Sequence, residues 1–266
     1  MFLSRYLKWF ASALMLSSVG AQAGSASTIT DFADVQPTRI LFVGNSYLYY
    51  NDSLHFHLRN ILQQAFGETV PDFQFKSSTI SGGRLAEQPV AHLLTPGRFE
   101  QPNQFELVIL QGHSTAMLSD EHRHQFNAAA LKHRQTARRH GVMVALYMTP
   151  GYVAPHAQAD DEMPAEVSQG YIAAGQALGV PVIPVGLAFA EAYRQRPSLK
   201  LHMDYDGTHP SVAGTYLAAC VVARSIYGVS LDDVTYDAFG EVSLADARFL
   251  QEIAVQVVDG FFARSE

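Results

Sequence analysis

Apolar positions fall into five short runs separated by longer amphipathic stretches. Ile40 to Val43, Phe105 to Leu110, Val142 to Met148 and Val180 to Val185 are nearly continuous apolar runs of strand length, rich in β-branched and aromatic residues. Asp72 to Ser78 instead alternates polar and apolar, the period of a half-buried strand. Between them the period changes. Leu54, Leu58, Ile61, Leu62 and Phe66 share one helical face, with Asn51 or Asp52 placed to cap it. Further helices are predicted over about Glu121 to His140, Ala165 to Leu178 and Ser211 to Tyr227. Val242 to Phe262 adds an amphipathic stretch whose position the pattern does not set. Pro181 and Pro184 put the fifth strand at a sheet edge or shorten it, because proline cannot donate to a ladder.

Strands that alternate with helices of ten to twenty residues predict a mostly parallel five-stranded sheet covered on both faces. The connections have the length that right-handed crossovers require. No repeat and no low-complexity linker interrupts the body, so residues 39–266 are expected to form one domain. With 266 residues, 48% of them hydrophobic, the chain is long enough to bury a sizeable core.

The first 23 residues stand apart. Arg5 and Lys8 make a basic start, Trp9 to Val19 is mostly apolar, and Ala21-Gln22-Ala23 is a small-x-small cleavage signal. This is the pattern of a secretory signal peptide, and the apolar run is short for a membrane span. An exported protein, periplasmic or secreted, with no stable membrane insertion is the expectation. Residues 24–38 read as a flexible tether. Cleavage after Ala23 removes two basic residues and no acidic one, taking the net charge from −7 to −9. A chain this acidic, without a Lys/Arg block, lacks the clustered positive charge that a nucleic-acid backbone demands. The single cysteine, Cys220, precludes an internal disulfide and lies in an apolar run where burial is expected.

Two stretches carry the candidate chemistry. Ser46 is the first hydroxyl beyond the strand Ile40 to Val43, at a strand-to-helix turn where open α/β sheets place their ligands. Near the other end, Asp206-Gly207-Thr208-His209-Pro210 sets an aspartate three residues before a histidine. On a tight loop that spacing lets the carboxylate bind one imidazole nitrogen while the other faces outward, the arrangement of a serine triad. A capping turn with an exposed histidine would explain the loop alone, but not its pairing with Ser46. Gly112-His113-Ser114-Thr115-Ala116 offers a rival nucleophile in Ser114, one residue short of a G-x-S-x-G elbow. Too little sheet precedes Ser114 for that fold, which also keeps its acid and histidine on separate loops. His202, Asp204, Asp206 and His209 are dense enough for a metal site, but no His/Glu pair elsewhere is spaced to complete one. His55, His57, His122, His124 and His133 are expected on exposed helix faces.

Gly44-Asn45-Ser46 after a strand, Gly82-Gly83 in a loop after the second strand, and Asp206-Gly207-Thr208-His209-Pro210 before the final helices resemble the blocks of the SGNH (GDSL-type) hydrolase family. The likeness spans about Arg39 to Tyr227, with Asn45 where Asp is commoner. It implies a flavodoxin-like three-layer α/β/α sandwich. It also implies Ser46 as nucleophile, His209 as base, Asp206 as supporting acid, and no metal or organic cofactor. The family's oxyanion hole implies the Ser46 N–H, the N–H of Gly82 or Gly83, and a third-block asparagine side chain. Here the third block departs from the pattern. Gln111-Gly112-His113-Ser114 replaces G-x-N-D, so that His113 holds the asparagine position and Gln111 is the nearer chemical relative. Tyr47, Arg84 and Tyr152 are candidate substrate contacts beside these blocks. The expected activity is hydrolysis of carboxylic esters, small-molecule or short-acyl carbohydrate esters first. A lipase or lysophospholipase, or a catalytically weak carbohydrate-binding protein on the same fold, are the alternatives.

Overall fold

The computed structural model describes residues 30–32, 35–98 and 104–263. The segment read as a signal peptide lies outside them. Five strands form one sheet: β1 (Arg39–Gly44), β2 (Gln74–Thr79), β3 (Leu107–Gln111), β4 (Met143–Tyr147) and β5 (Val182–Ile183). Their order is β2-β1-β3-β4-β5, and every pairing is parallel. This is the flavodoxin-like order, whose ligand crevice opens beyond the carboxyl ends of β1 and β3, where the strand order reverses.

Period-two alternation builds two cores from one sheet. Ile40 and Phe42 of β1, Leu107 and Ile109 of β3, and Ala145 and Tyr147 of β4 face one way. Leu41 and Val43, Val108 and Leu110, and Val144 and Leu146 face the other. The first face is covered by α2 (Leu54–Phe66), α6 (Val185–Gln195), α7 (Val212–Tyr227) and, outside α7, α8 (Leu244–Phe262). The second is covered by the short α3 (Val90–Leu93), α4 (Asp120–Arg139) and α5 (Met163–Leu178). Helix α7 is apolar almost all round because it has neighbours on both sides, the sheet and α8. Cys220 lies on it, fully buried, and burial pushes its thiol pKa upward, so it is an inert core residue.

Ser46 lies at the strand-to-helix junction after β1, where it opens the four-residue helix α1 (Ser46–Tyr49). Other local expectations are corrected. Neither Asn51 nor Asp52 caps α2. Ser53 holds the cap position without a side-chain cap bond, and Asn51, Asp52 and Ser53 all adopt positive φ. The Asn51 side chain instead donates to the Pro210 carbonyl (2.9 Å) and to Thr215 Oγ1 (2.7 Å), tying α2's entry to the loop after His209. The run Val180 to Val185 is, as its prolines imply, a shortened strand of two residues at the sheet edge, and beyond that expectation Pro184 is the N-cap of α6. Ahead of β1 the expected tether is anchored where it is described. Phe32 is buried, and the Pro37 carbonyl accepts from Tyr227 Oη (2.7 Å).

Two of the five helical histidines are core residues, not surface ones. His57 binds the Asn51 carbonyl through Nε2 (2.6 Å) and Tyr236 Oη through Nδ1 (2.9 Å). His133 Nε2 meets the Leu85 carbonyl (2.9 Å). His202 is buried as well, with Nδ1 at 2.9 Å from Tyr193 Oη. Burial lowers the pKa of all three, that of His202 from 6.5 to about 4. Between those two values the unfolded chain binds a proton that folded His202 refuses, so stability falls as pH drops through 6.5 toward 4. The loss from His202 is on the order of 3 kcal/mol. Urea midpoints measured at pH 7 and pH 4.5 should show this fall, and a His202→Gln variant should show a flatter one. Equal midpoints for the parent protein at both pH values would contradict it.

Candidate active site

Ser46 is presented by the turn that leaves β1. A Cβ at Gly44 would run into the Gln111 side chain, so only glycine lets β1 and β3 end side by side here. The Asn45 N–H donates to Gln111 Oε1 (2.8 Å), and the Asn45 side chain works in both directions. Its Oδ1 accepts the Tyr47 N–H (3.2 Å), and its Nδ2 donates to the Gly83 carbonyl (3.1 Å). A carboxylate could not make that last bond, so asparagine at position 45 ties the Ser46 turn to the glycine loop after β2.

From the other end of the chain the loop 203–210 arrives as a closed turn. The Met203 N–H donates to the His209 carbonyl (2.8 Å), and the Val153 N–H to the Gly207 carbonyl (2.9 Å). Gly207 has φ +64°, and any side chain there would strike the Val153 carbonyl oxygen. Asp206 Oδ1 accepts the N–H groups of Thr208 (2.9 Å) and His209 (3.0 Å), while Oδ2 accepts His209 Nδ1–H (2.6 Å). Burial alone would raise the Asp206 carboxyl pKa, but these hydrogen bonds outweigh it and hold the group below the usual carboxylate range. With Nδ1 donating to Asp206, His209 Nε2 is the acceptor that faces Ser46 Oγ at 2.8 Å. Tyr50 stacks on the back of the imidazole, with ring centroids 4.5 Å apart and planes 15° apart.

The structure thus brings Ser46, His209 and Asp206 into one hydrogen-bonded chain, opening on a cavity of about 250 Å³. Its lining includes Gly82, His113, Ser114 and Tyr50. Of the two glycines, Gly83 uses its N–H in the turn to the Ile80 carbonyl (2.9 Å), whereas Gly82 faces the cavity with φ +62° and open space around it. Gln111 is buried with both ends of its amide engaged: Oε1 holds the Asn45 N–H, and Nε2 donates to the Gly112 carbonyl. His113 is different. Its Nδ1 accepts the Thr115 N–H (3.2 Å) beside Thr115 Oγ1 (2.9 Å), which leaves the ring proton on Nε2. Burial, then the nearby charges of Arg84 and His122, lower its pKa, so the ring is neutral near pH 7.

Tyr47 and Tyr152, expected beside the serine, are buried. Tyr47 Oη meets Thr208 Oγ1 (2.6 Å), and Tyr152 Oη donates to Ser114 Oγ (2.8 Å). Tyr47 lines the cavity as part of its floor. The rival Ser114 therefore faces a tyrosine hydroxyl and no imidazole. Asp204 is drawn away to Lys200 (2.5 Å), and no cluster of three or more potential metal ligands exists among the described residues. Tyr50, in the tyrosine cluster beside Ser46, and Asn51, expected only as a helix cap, take site positions whose contacts the sequence does not show. Only the stacking on His209 and the bond to the Pro210 carbonyl reveal them.

Similarity to known proteins enters at the level of fold. A DUF4886 family protein from Bacteroides uniformis superposes with a TM-score of 0.62 at 14% identity, over 82% of this chain and 93% of its own. A candidate SGNH hydrolase from Slackia heliotrinireducens gives 0.53 at 22% identity, over 72% of this chain and 100% of its own. A catalytic mutant of an acetylxylan esterase from Geobacillus stearothermophilus gives 0.53 at 15%, over 73% and 96%. Solved esterases share this fold. No protein-family model matches the sequence, and no curated protein is similar to it in sequence. Among the described residues no helix is long and apolar enough to cross a membrane.

Proposed function

We propose that the chain is a serine esterase that hydrolyses short-acyl, chiefly acetyl, esters of carbohydrates. The observation that carries this is the chain Ser46 Oγ, His209 Nε2, Nδ1, Asp206 Oδ2, with links of 2.8 and 2.6 Å, at the mouth of a cavity. His209 takes the Ser46 proton as Oγ attacks the ester carbonyl. The N–H groups of Ser46 and Gly82 and the Nε2–H of His113 receive the developing oxyanion. His209 then gives its proton to the departing alcohol. Water, deprotonated by the same imidazole, cleaves the acyl-serine.

The lining of the cavity supports the acyl preference. Asn45, Ser46, Ser81, Ser114, Thr208, His209, His113 and tyrosines surround it, with no aliphatic side chain larger than a methyl among its walls. A long acyl chain would gain little by leaving water there, since its driving force is burial against apolar surface, about 25 cal/mol per Å². Tyrosine faces and hydroxyls suit a sugar. The basic start and apolar run at residues 1–23 support an exported enzyme. Comparing kcat/KM for nitrophenyl acetate and nitrophenyl octanoate tests the acyl preference. The acetate should win by at least tenfold, and a strong rise with chain length would move the assignment to a lipase.

A further inference from the structure

Beyond His113 lies a second, smaller cavity that the reaction above does not use. It holds about 110 Å³. Leu85, Ala116 and Phe126 form its buried apolar walls, and Arg84, His122 and Gln125 bring nitrogen to it. His113 is the wall it shares with the Ser46 cavity. No carboxylate lines it. Glu87 and Glu121 are close in sequence, but Glu87 Oε2 accepts the Arg84 backbone N–H (2.7 Å) and Glu121 Oε1 binds Gln125 Nε2 (3.0 Å). Among the described residues the Arg84 guanidinium makes no ion pair, and its one polar contact is a 3.5 Å approach to His122 Nε2. In the same wall His122 Nδ1 is buried without a hydrogen-bond partner.

A half-buried guanidinium with no anion, in a chain whose acidic residues outnumber its basic ones, is an unspent binding group. Its planar fork matches a carboxylate in bidentate fashion, and low-dielectric walls strengthen that pairing. We infer that this cavity is a subsite for a carboxylate carried by the ester substrate, with Arg84 as the anion-binding residue. The inference rests on the esterase reading for its substrate but not for its binding site. The carboxylate can belong to the alcohol half, as in an acetylated acidic sugar, or to the acyl half, as in a dicarboxylic half-ester.

Matched pairs of esters distinguish the two halves. 4-Carboxyphenyl acetate against phenyl acetate probes the alcohol side, and nitrophenyl hemiglutarate against nitrophenyl valerate probes the acyl side. In one of the pairs Arg84→Gln should lower the anionic-to-neutral ratio of kcat/KM at least tenfold relative to the parent protein. Less than a twofold change of that ratio in both pairs would overturn the subsite. A second readout needs no turnover: glutarate titrated into the protein while the imidazole NMR signals of His113 and His122 are followed. Saturable shifts in the parent and in Ser46→Ala, absent in Arg84→Gln, support the subsite even if no ester is cleaved. No saturable shift in the parent, or an unchanged one in Arg84→Gln, refutes it.

Discussion

Replacing Asp206 by asparagine is expected to lower kcat on an acetyl ester by about 10⁴ while leaving the protein folded. The geometry separates the two jobs of this side chain. Oδ1 accepts the Thr208 and His209 N–H groups, and an asparagine carbonyl can go on doing so, which keeps the loop closed. Oδ2 accepts the proton of His209 Nδ1, and an amide NH₂ in its place would donate instead. The imidazole must then accept at Nδ1 and carry its proton on Nε2, where it cannot take one from Ser46. The positive charge that His209 gains during attack would also lose its carboxylate. Circular dichroism and a melting curve close to those of the parent protein would show that the loss is chemical. A folded Asp206→Asn protein turning over within tenfold of the parent would remove Asp206 from the mechanism.

The second large effect concerns His113. Removing one oxyanion donor typically costs about 10²–10³ in kcat. The Thr115 N–H fixes Nδ1 of His113 as an acceptor, so the neutral ring has its donor on Nε2, at the wall shared with the Ser46 cavity. His113→Ala should lose at least tenfold and up to the full range. His113→Asn, which restores a side-chain N–H, should recover most of it. Since the ring is already neutral near pH 7, its donation should not weaken as pH rises from there. Gln111→Ala should behave differently. Its amide holds the Asn45 N–H and the Gly112 carbonyl, so the change should appear mainly as a lower melting temperature. If Gln111→Ala alone were crippled in kcat, with both His113 variants at parental rates, the donor would be Gln111.

The two-faced sheet was legible because its signal is local. Ile40 to Val43 and Leu107 to Leu110 are continuously apolar, as strands buried on both faces must be, and the helices between carry their own period. Ser46 and the Asp206–His209 spacing were legible for the same reason: each is a short block next to a strand or helix end. What escaped was either masked by a neighbour or made by distant chain. Val185, Ala188, Phe189 and Ala192 do keep a helical face in α6, but the apolar run 180–185 merges with its start, and Pro184, read as shortening the strand, is also the helix cap. The burial of His57 and His133 depends on Tyr236 and on the Leu85 carbonyl, partners 179 and 48 residues away. That the Gly83 N–H is taken up by the Ile80 carbonyl depends on how the turn folds, which neither glycine encodes by itself. The standing of Gln111 depends on the absence of a side chain at Gly44, a contact between two strands that no local pattern encodes.

The central claim is that Ser46, and not Ser114 or any other hydroxyl, is an activated nucleophile. A fluorophosphonate that modifies only activated serines tests it directly, with the labelled residue mapped by peptide mass spectrometry. The parent protein should carry one adduct on the peptide containing Ser46. The adduct should be absent from Ser46→Ala, strongly slowed in His209→Ala, and unchanged in Ser114→Ala. A folded parent protein that takes no label, or one labelled as readily after Ser46→Ala, would contradict the account.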